Sequence, residues 1–281
     1  MNYSIGMRVH DSVSGTLKER ADFIRGQGFT CVHLALSKVL GKGFMEPAVL
    51  TPGLASQLRK DLGGLDVAVL GCYLNLAEKD EALYPGIVAK YIAHLRFQRW
   101  LGAGMIGTET GHLSPEMLER NDPAELDAVA DFYIERLRPV VKSAEKLGAV
   151  LAVEPVWNHS IRNARCARRM LDRIASPNLG IIFDPVNLVD VRHTDQGDDR
   201  VQEAIDLLGD DVLMVHLKDW TLDSQGKNIA VAAGTGHMNY APVIRFIKDR
   251  KPGIQMTLEN THPDNAVQAR QFVEGLLLGL E

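Results

Sequence analysis

LAVEPVWNH, residues 151–159, is an apolar run that ends in a carboxylate, Glu154, before the chain turns polar and aromatic. Three later apolar runs end in a similar way: GIIFD at Asp184, LMVH at His216 and MTLE at Glu259. Short apolar runs of this kind are typical of buried strands. The four residues therefore predict four successive strands, each with a polar side chain at its carboxyl end.

The same kind of run recurs along the whole chain and alternates with stretches of helical period. Strands are predicted at residues 3–9, 30–35, 67–71, 103–108, 149–153, 179–183, 211–215 and 254–258. Helices are predicted at residues 16–26, 51–63, 85–101, 123–147, 163–175, 200–209, 241–250 and 265–279. Eight strand and helix pairs in 281 residues predict an α/β fold, a (β/α)8 barrel forming a single domain over residues 1–281.

Local signals support the barrel over an open, doubly wound sheet. Thr51-Pro52 and Asp122-Pro123 each place a capping side chain before a proline at the first helical position. No predicted strand is followed by the glycine-rich phosphate-binding turn that would favour the open sheet. The stretch GTGHMN at residues 234–239 follows no predicted strand, so we expect a turn there.

Composition restricts the possible functions. The net charge of −5 and the scattered basic residues provide no positive surface for a nucleic acid. The three cysteines, Cys31, Cys72 and Cys166, are far apart in sequence and are expected to be reduced, which favours a cytoplasmic protein. The first residues do not form an export signal, and no apolar stretch is long enough to cross a membrane.

Side chains alternate across a strand, so one choice of phase can be tested on all four strands. If Glu154, Asp184, His216 and Glu259 point into the barrel, their neighbours on the outer face should be suitable for covering by helices. Those neighbours are all apolar: Leu151, Val153, Ile181, Phe183, Leu213, Val215, Met256 and Leu258. The four polar side chains are therefore predicted to converge at the mouth where barrel active sites are built.

Three carboxylates in such a mouth would repel one another by roughly several kcal/mol unless a cation lies among them. Two Glu, one Asp and one His offer mostly hard oxygen ligands with one imidazole nitrogen. This set suits Mn(II), Mg(II) or Co(II) better than a structural zinc ion. A divalent metal site is predicted, with Mn(II) favoured.

Five motifs at or near the strand ends stand out: VEP at 153–155, FDPVN at 183–187, VHLKD at 215–219, GTGHMNY at 234–240 and LEN at 258–260. With these motifs the chain resembles the xylose isomerase-like TIM barrels, which include sugar phosphate isomerases and epimerases such as the tagatose and psicose 3-epimerases. The resemblance implies a metal held by the four strand-end residues, with the two glutamates as the acid and base. Many of those epimerases have a histidine where this chain has Asn187, which cannot transfer a proton.

The predicted function is a metal-dependent isomerase or epimerase acting on a small sugar or polyol. It would remove the proton alpha to a carbonyl and form a metal-stabilised enediolate. A dehydratase acting on an inosose or dehydroshikimate-like substrate is the alternative, because it shares the early chemistry. An apurinic endonuclease is disfavoured by the acidic charge and the single well-placed histidine ligand. A scaffold without turnover is the fourth hypothesis.

Several residues near these strand ends are candidates for substrate binding. They are Asn187, Lys218, His159, Trp157 and Glu109. Lys218 lies two residues after His216 and is therefore expected to have the same inward phase. Arg162 and Arg192, together with Lys218, could bind a phosphate group if the substrate carries one. His33 lies within an apolar run and is predicted to be a core histidine. A homo-oligomer is possible, but no helical face is identified as its interface.

Overall fold

A computed structural model describes residues 3–189 and 196–279. Eight parallel strands close a barrel in which each strand pairs with its neighbours in sequence and the first pairs with the last. They are β1 Ser4–Arg8, β2 Cys31–Leu34, β3 Asp66–Gly71, β4 Met105–Thr108, β5 Leu151–Val153, β6 Leu179–Phe183, β7 Val212–Leu217 and β10 Gln255–Leu258. The predicted (β/α)8 barrel is confirmed, and each predicted strand is present.

Helices follow the strands in the predicted order, and each of the eight predicted helices is present within about three residues of its expected bounds. The helices are α1 Leu17–Gly26, α2 Leu36–Val39, α3 Pro52–Leu62, α4 Tyr84–Leu101, α5 Pro115–Arg120, α6 Pro123–Leu147, α7 Ala164–Ile174, α8 Gly197–Leu208, α9 Ala241–Arg250 and α10 Ala266–Leu278. The short helices α2 and α5 were not predicted, because four or six residues are too few to show a helical period. Within the described residues, no helix is long and apolar enough to cross a membrane.

The predicted helix starts are made by the residues that the sequence indicated. The Thr51 side chain accepts a hydrogen bond from the Leu54 backbone at the start of α3. The Asp122 carboxylate accepts one from the Ala124 backbone at the start of α6. Each cap satisfies a backbone donor that has no partner within its helix, so these caps fix where the helices begin.

The predicted phase of the strands is also found. Ala152, Ile182 and Met214, each two residues before one of the polar strand ends, belong to a small apolar cluster separate from the main core. Their outward neighbours, such as Val153 and Phe183, belong to the large cluster between strands and helices. Leu213 is the exception among the outward residues, because it is 37% exposed.

The barrel interior is narrow, and glycines on the strands make it so. A Cβ atom on Gly6 would lie 2.2 Å from the backbone oxygen of Cys31, which is fixed in the neighbouring strand. A Cβ atom on Gly107 would lie 2.9 Å from Cδ1 of Ile182 on a strand beyond the adjacent one. The glycines therefore allow a close approach that any other residue would prevent.

Gly6→Ala should destabilise the protein by about 3 kcal/mol, because the added methyl group must displace backbone rather than a flexible side chain. Thermal unfolding should show a melting temperature lower by about 6–12 °C. Gly86→Ala in α4 is the control, since nothing lies within 4 Å of its added Cβ. Equal melting temperatures for the two variants would contradict this description of the interior.

A β-hairpin was also not predicted from the sequence. β8 Asp219–Leu222 and β9 Asn228–Val231 form an antiparallel hairpin after β7, outside the barrel. Residues 234–239 have turn and irregular backbone, as expected, although they follow this unpredicted hairpin. The Asp219 carboxylate accepts hydrogen bonds from the Gly236 and Met238 backbones and so holds this turn against the end of β7.

Candidate metal centre

The four polar strand-end residues meet at one mouth of the barrel. Glu154 follows β5, Asp184 follows β6, His216 lies near the end of β7 and Glu259 follows β10. One ligand atom from each residue lies within 4.8 Å of those of the other three. All four side chains are buried. Parallel strands of one barrel bring their carboxyl ends together, so the shared phase produces the cluster.

Local hydrogen bonds orient two of the carboxylates. Oδ1 of Asp184 accepts hydrogen bonds from the backbones of Val186 at 2.9 Å and Asn187 at 3.0 Å. The turn after β6 thereby fixes the Asp184 side chain and leaves Oδ2 facing the centre. Nδ2 of Asn187 donates a hydrogen bond of 2.6 Å to Oε1 of Glu154. Asn187 thus links the ends of β5 and β6 and holds the Glu154 carboxylate.

Lys218 lies among the same carboxylates. Its Nζ is 2.9 Å from Oδ2 of Asp184 and 2.8 Å from Oε2 of Glu259. The residue is 5% exposed. The inward phase predicted for this lysine is found, and its ammonium contacts protein carboxylates.

A second cation, Arg8 at the end of β1, contacts the other carboxylate oxygen of Glu259. One of its terminal nitrogens is 3.2 Å from Oε1 of Glu259, and its Nε is 2.5 Å from Oδ2 of Asp11. Two protein cations therefore already contact two of the three carboxylates, Asp184 and Glu259. The repulsion argument made from the sequence overstated the net negative charge, because it did not include Arg8 or the contacts of Lys218.

The charges and the burial shift the pKa values in opposite directions. Burial raises the pKa of Asp184 to about 6, although the nearby Lys218 ammonium opposes this change. Burial would also raise the pKa of Glu259, but Lys218 and the other cations around it hold that pKa well below its usual range. For His216, burial lowers the pKa, while the surrounding carboxylates outweigh it and raise the pKa overall. Burial therefore drives Asp184 toward its neutral form, while the nearby cations keep Glu259 ionised.

His33 and Tyr73 form one wall of the site. Neither residue was predicted from the sequence to be part of it. The His33 ring stacks on the His216 ring at 5.3 Å between centroids. Nε2 of His33 is 2.6 Å from the Tyr73 hydroxyl oxygen. His33 is buried, as predicted for a core histidine, but it lies against the metal candidates. Applying the phase argument to β1, β2 and β3 would have found Arg8, His33 and Tyr73.

The remaining candidates lie on the β4 and β5 side of the mouth. Nδ1 of His159 is 4.0 Å from a carboxylate oxygen of Glu109, and the His159 ring packs edge-on against His112 at 4.2 Å. Burial, together with the charges of Glu154 and Glu259, raises the pKa of Glu109 to about 7. Burial lowers the pKa of His159 to about 4, so its ring is neutral near pH 7.

The Trp157 backbone is bound to the turn after β6, because its N–H donates a hydrogen bond of 2.8 Å to the Asn187 carbonyl oxygen. Arg162 points elsewhere, because it donates to the Asp127 carboxylate at 2.8 Å on the helical exterior. It is therefore not a phosphate ligand at the mouth in this arrangement. Arg192 lies outside the described residues.

The donor set fits a divalent ion. Nδ1 of His216 is 3.3 Å from Oε2 of Glu154 and 3.4 Å from Oε1 of Glu259, but this buried nitrogen forms no well-directed hydrogen bond. A buried imidazole nitrogen that faces carboxylate oxygens without a proper hydrogen bond suits a metal ligand. Three carboxylates and one imidazole match the preference of Mg(II), Mn(II) and Co(II) for oxygen with some nitrogen.

Comparisons with known proteins agree with the fold. The family model described as xylose isomerase-like TIM barrel matches residues 22–276. Comparison with curated protein sequences gives no significant match.

Three similar solved structures each superpose over nearly the whole of both chains, with 16% sequence identity. A D-tagatose 3-epimerase-like protein has a TM-score of 0.74, and the superposition covers 99% of this chain and 98% of that protein. The 3-keto-D-glucoside 4-epimerase of E. coli has a TM-score of 0.73, with 98% and 99% covered. A probable 3-DHS dehydratase of Bacillus anthracis has a TM-score of 0.71, with 98% of each chain covered. At this identity the likeness shows the fold.

Proposed function

The chain belongs to the xylose isomerase-like TIM barrel family, and we propose that it is a divalent-metal-dependent sugar isomerase or epimerase. The proposed reaction begins with removal of a proton alpha to a carbonyl. The observation that carries the proposal is the buried group of Glu154, Asp184, His216 and Glu259, whose ligand atoms lie within 4.8 Å of one another. Two of its members are glutamates, which this chemistry needs as base and acid.

Glu154 and Glu259 are proposed to move the protons. Both carboxylates face Nδ1 of His216, at 3.3 and 3.4 Å, so they approach the centre from different strands. Asn187 holds Glu154, while Arg8 and Lys218 hold Glu259. Fixed carboxylates on two sides of a substrate carbon can remove a proton from one face and return one to the other, as epimerisation requires.

A divalent ion held by Glu154, Asp184, His216 and Glu259 would supply Lewis-acid stabilisation of the negative charge that develops on the substrate. We propose Mn(II) as the preferred ion, with Mg(II) or Co(II) as possible alternatives, on the chemistry of the donor set. Burial of all four residues excludes water from the reacting atoms and strengthens each electrostatic contact.

The proposed substrate is a small sugar or polyol. Glu109 and His159 lie 4.0 Å apart at one side of the mouth, and the Trp157 backbone is bound to Asn187 nearby. We propose that their carboxyl, imidazole and indole groups contact the hydroxyl groups and the ring face of the substrate. Asn187 and Lys218 remain candidates for substrate contact, although both already contact carboxylates. We also propose a cytoplasmic role in carbohydrate metabolism, since the three cysteines are free and buried.

A dehydratase is the second candidate, and Glu109 favours it. Partial burial and the charges of Glu154 and Glu259 raise the pKa of this carboxyl group, so it is better suited than an ordinary glutamate to protonate a leaving hydroxyl group. The same proton abstraction alpha to the carbonyl would come first. Loss of water would then replace reprotonation as the second step.

The proposal can be tested by incubating the protein with Mn(II) in deuterated water and a panel of ketoses, inososes and keto acids. Proton NMR would follow exchange at the carbon alpha to the carbonyl. Exchange with appearance of an isomer supports the isomerase or epimerase, whereas exchange with loss of water supports the dehydratase. No exchange with any member of a broad panel would contradict both.

Asn187→Ala should lower the exchange rate by about 10–100-fold, because Glu154 loses the donor that orients it. The fall should appear mainly in kcat, since the substrate would still bind. Gln57→Ala is the matched control: Gln57 is exposed, and its side-chain amide donates to the Asp61 carboxylate within α3. An Asn187→Ala enzyme as fast as the control would show that this hydrogen bond does not position the base.

A further inference from the structure

We propose that Lys218 is a built-in cation of the metal centre, which holds Asp184 and Glu259 together in the metal-free protein and opposes the divalent ion when it binds. The inference rests on the proposed metal site but concerns a residue that is not one of its ligands. It also gives Lys218 a role different from the substrate contact that the sequence indicated.

The Lys218 ammonium group contacts two of the prospective metal ligands. Nζ of Lys218 lies within 2.9 Å of one oxygen from each of two prospective metal ligands, Asp184 and Glu259. These residues follow β6 and β10, which flank β7, so the ammonium bridges the two strands on either side of its own. Among the described residues, Lys218 is the one lysine classed as buried. Its charge is therefore screened by protein groups and much less by water.

Hydrogen bonds hold the backbone around Lys218 in place. The Tyr240 hydroxyl donates a hydrogen bond of 2.9 Å to the Lys218 carbonyl oxygen. The adjacent Asp219 carboxylate accepts hydrogen bonds from the backbones of Trp220, Gly236 and Met238. A Cβ atom at Gly236 would lie 2.1 Å from the Trp220 carbonyl oxygen, so the turn is packed directly on the strand end. The backbone at Lys218 is therefore held from both sides, which fixes the position from which its side chain extends.

Arg8 differs from Lys218 in both burial and partners. Its side chain is 21% exposed, and its guanidinium is shared between Glu259 and Asp11. Part of the Arg8 charge is thus balanced by Asp11, which is not one of the candidate metal ligands. The Lys218 ammonium has the candidate ligands as its charged partners among the described residues, so it should have the larger effect on a cation bound there.

Two opposite effects follow from this placement. In the metal-free protein the ammonium offsets the repulsion between Asp184 and Glu259 and keeps their carboxylates close together. A divalent ion bound by the carboxylates of these two residues would lie close to the ammonium, and like charges at such short range repel. Lys218 should therefore preserve the site without metal and weaken its affinity for metal, which would make the bound ion exchangeable.

The experiment compares the wild-type protein with Lys218→Met, which keeps the length of the side chain and removes its charge. Isothermal calorimetry with Mn(II) at pH 8 should give a Kd about 100-fold lower for the variant. Thermal unfolding without metal should show a lower melting temperature for the variant, and saturating Mn(II) should reverse this difference. Lys227→Met, at an exposed position in the loop of the hairpin, is the control and should behave as wild type in both measurements.

Lys218→Arg and Lys218→Gln keep the test decisive if Lys218→Met does not fold. The arginine retains the charge and should bind Mn(II) no more tightly than wild type, whereas the glutamine should bind it more tightly. Equal or weaker binding by the folded neutral variants would overturn the inference.

The outcome for the proposed function can be read separately. If only the neutral variants bind Mn(II), the inference stands and the metal dependence of the wild-type enzyme is wrong. If all variants bind equally, the inference falls and the metal site stands. No binding by any variant would overturn both.

Discussion

Glu154→Gln and Glu259→Gln should each lower the rate of α-proton exchange by about 1000-fold or more. Each change removes a carboxylate that we propose as base or acid, and general acid–base catalysis alone contributes about 10²–10⁴-fold. Each also replaces a proposed, charged metal ligand by a neutral amide of nearly the same shape. The loss should therefore exceed that of removing a proton-transfer group that does not bind metal.

The measurement is deuterium incorporation into substrate, with each variant saturated with Mn(II) as far as it can be. Glu119→Gln on the exposed face of α5 is the matched control and should retain wild-type exchange. Circular dichroism should show that both site variants are folded, since an amide can accept most of the same hydrogen bonds. Exchange within tenfold of wild type in either variant would remove that glutamate from the proposed chemistry.

Removal of the divalent ion should lower α-proton exchange by about 10⁴-fold or more, because the developing negative charge would lose its principal stabilisation. Dialysis against a chelator, followed by assay in metal-free buffer, tests this. Addition of Mn(II), Mg(II) or Co(II) should restore exchange, with the greatest recovery expected for Mn(II). The melting temperature should also rise on addition of metal, since the ion binds the folded protein.

His216→Ala is the control for these metal additions, because it removes the imidazole ligand and leaves the three carboxylates. Metal added to this variant should restore little activity. Full exchange by the chelated wild-type protein, verified as metal-free by elemental analysis, would mean that Lys218 and Arg8 suffice as the cations of the site. The proposed dependence on a divalent ion would then be wrong.

The fold could be predicted from the sequence because the alternation of strands and helices is regular and the strand phase is repeated. Glu154, Asp184 and His216 each follow an apolar residue two positions earlier that lies in the barrel interior. The outward residues between them pack against helices. A single strand does not show which of its side chains face the barrel interior. One assignment that fits four strands leaves few alternatives for the orientation of each. The same regularity places the four polar side chains at one mouth.

The contacts within the site could not be predicted in the same way. Lys218 was assigned to the inward face, but its distance from Asp184 and Glu259 depends on how three strands stagger within the barrel. Arg8 lies far from Glu259 in sequence and meets it only because β1 pairs with β10. A count of carboxylates therefore overestimated the unbalanced charge, since the balancing cations come from residues that no local pattern connects.

The hairpin of β8 and β9 was missed because its two strands are four residues each and partly polar. Their sequences, DWTL and NIAV, are separated by five residues that include Gly226. A glycine-containing connection of that length between two short strands is a known hairpin signal. Reading it would have placed Asp219 at the start of a strand and predicted the turn that follows as a cover over the end of β7.

The central claim is that Glu154, Asp184, His216 and Glu259 hold one divalent ion, and anomalous X-ray scattering from crystals grown with Mn(II) tests it most directly. The account predicts a single anomalous peak at the barrel mouth, within about 2.0–2.6 Å of a ligand atom from each of the four residues. A peak bound elsewhere, or no peak at the mouth at saturating Mn(II), would contradict the claim.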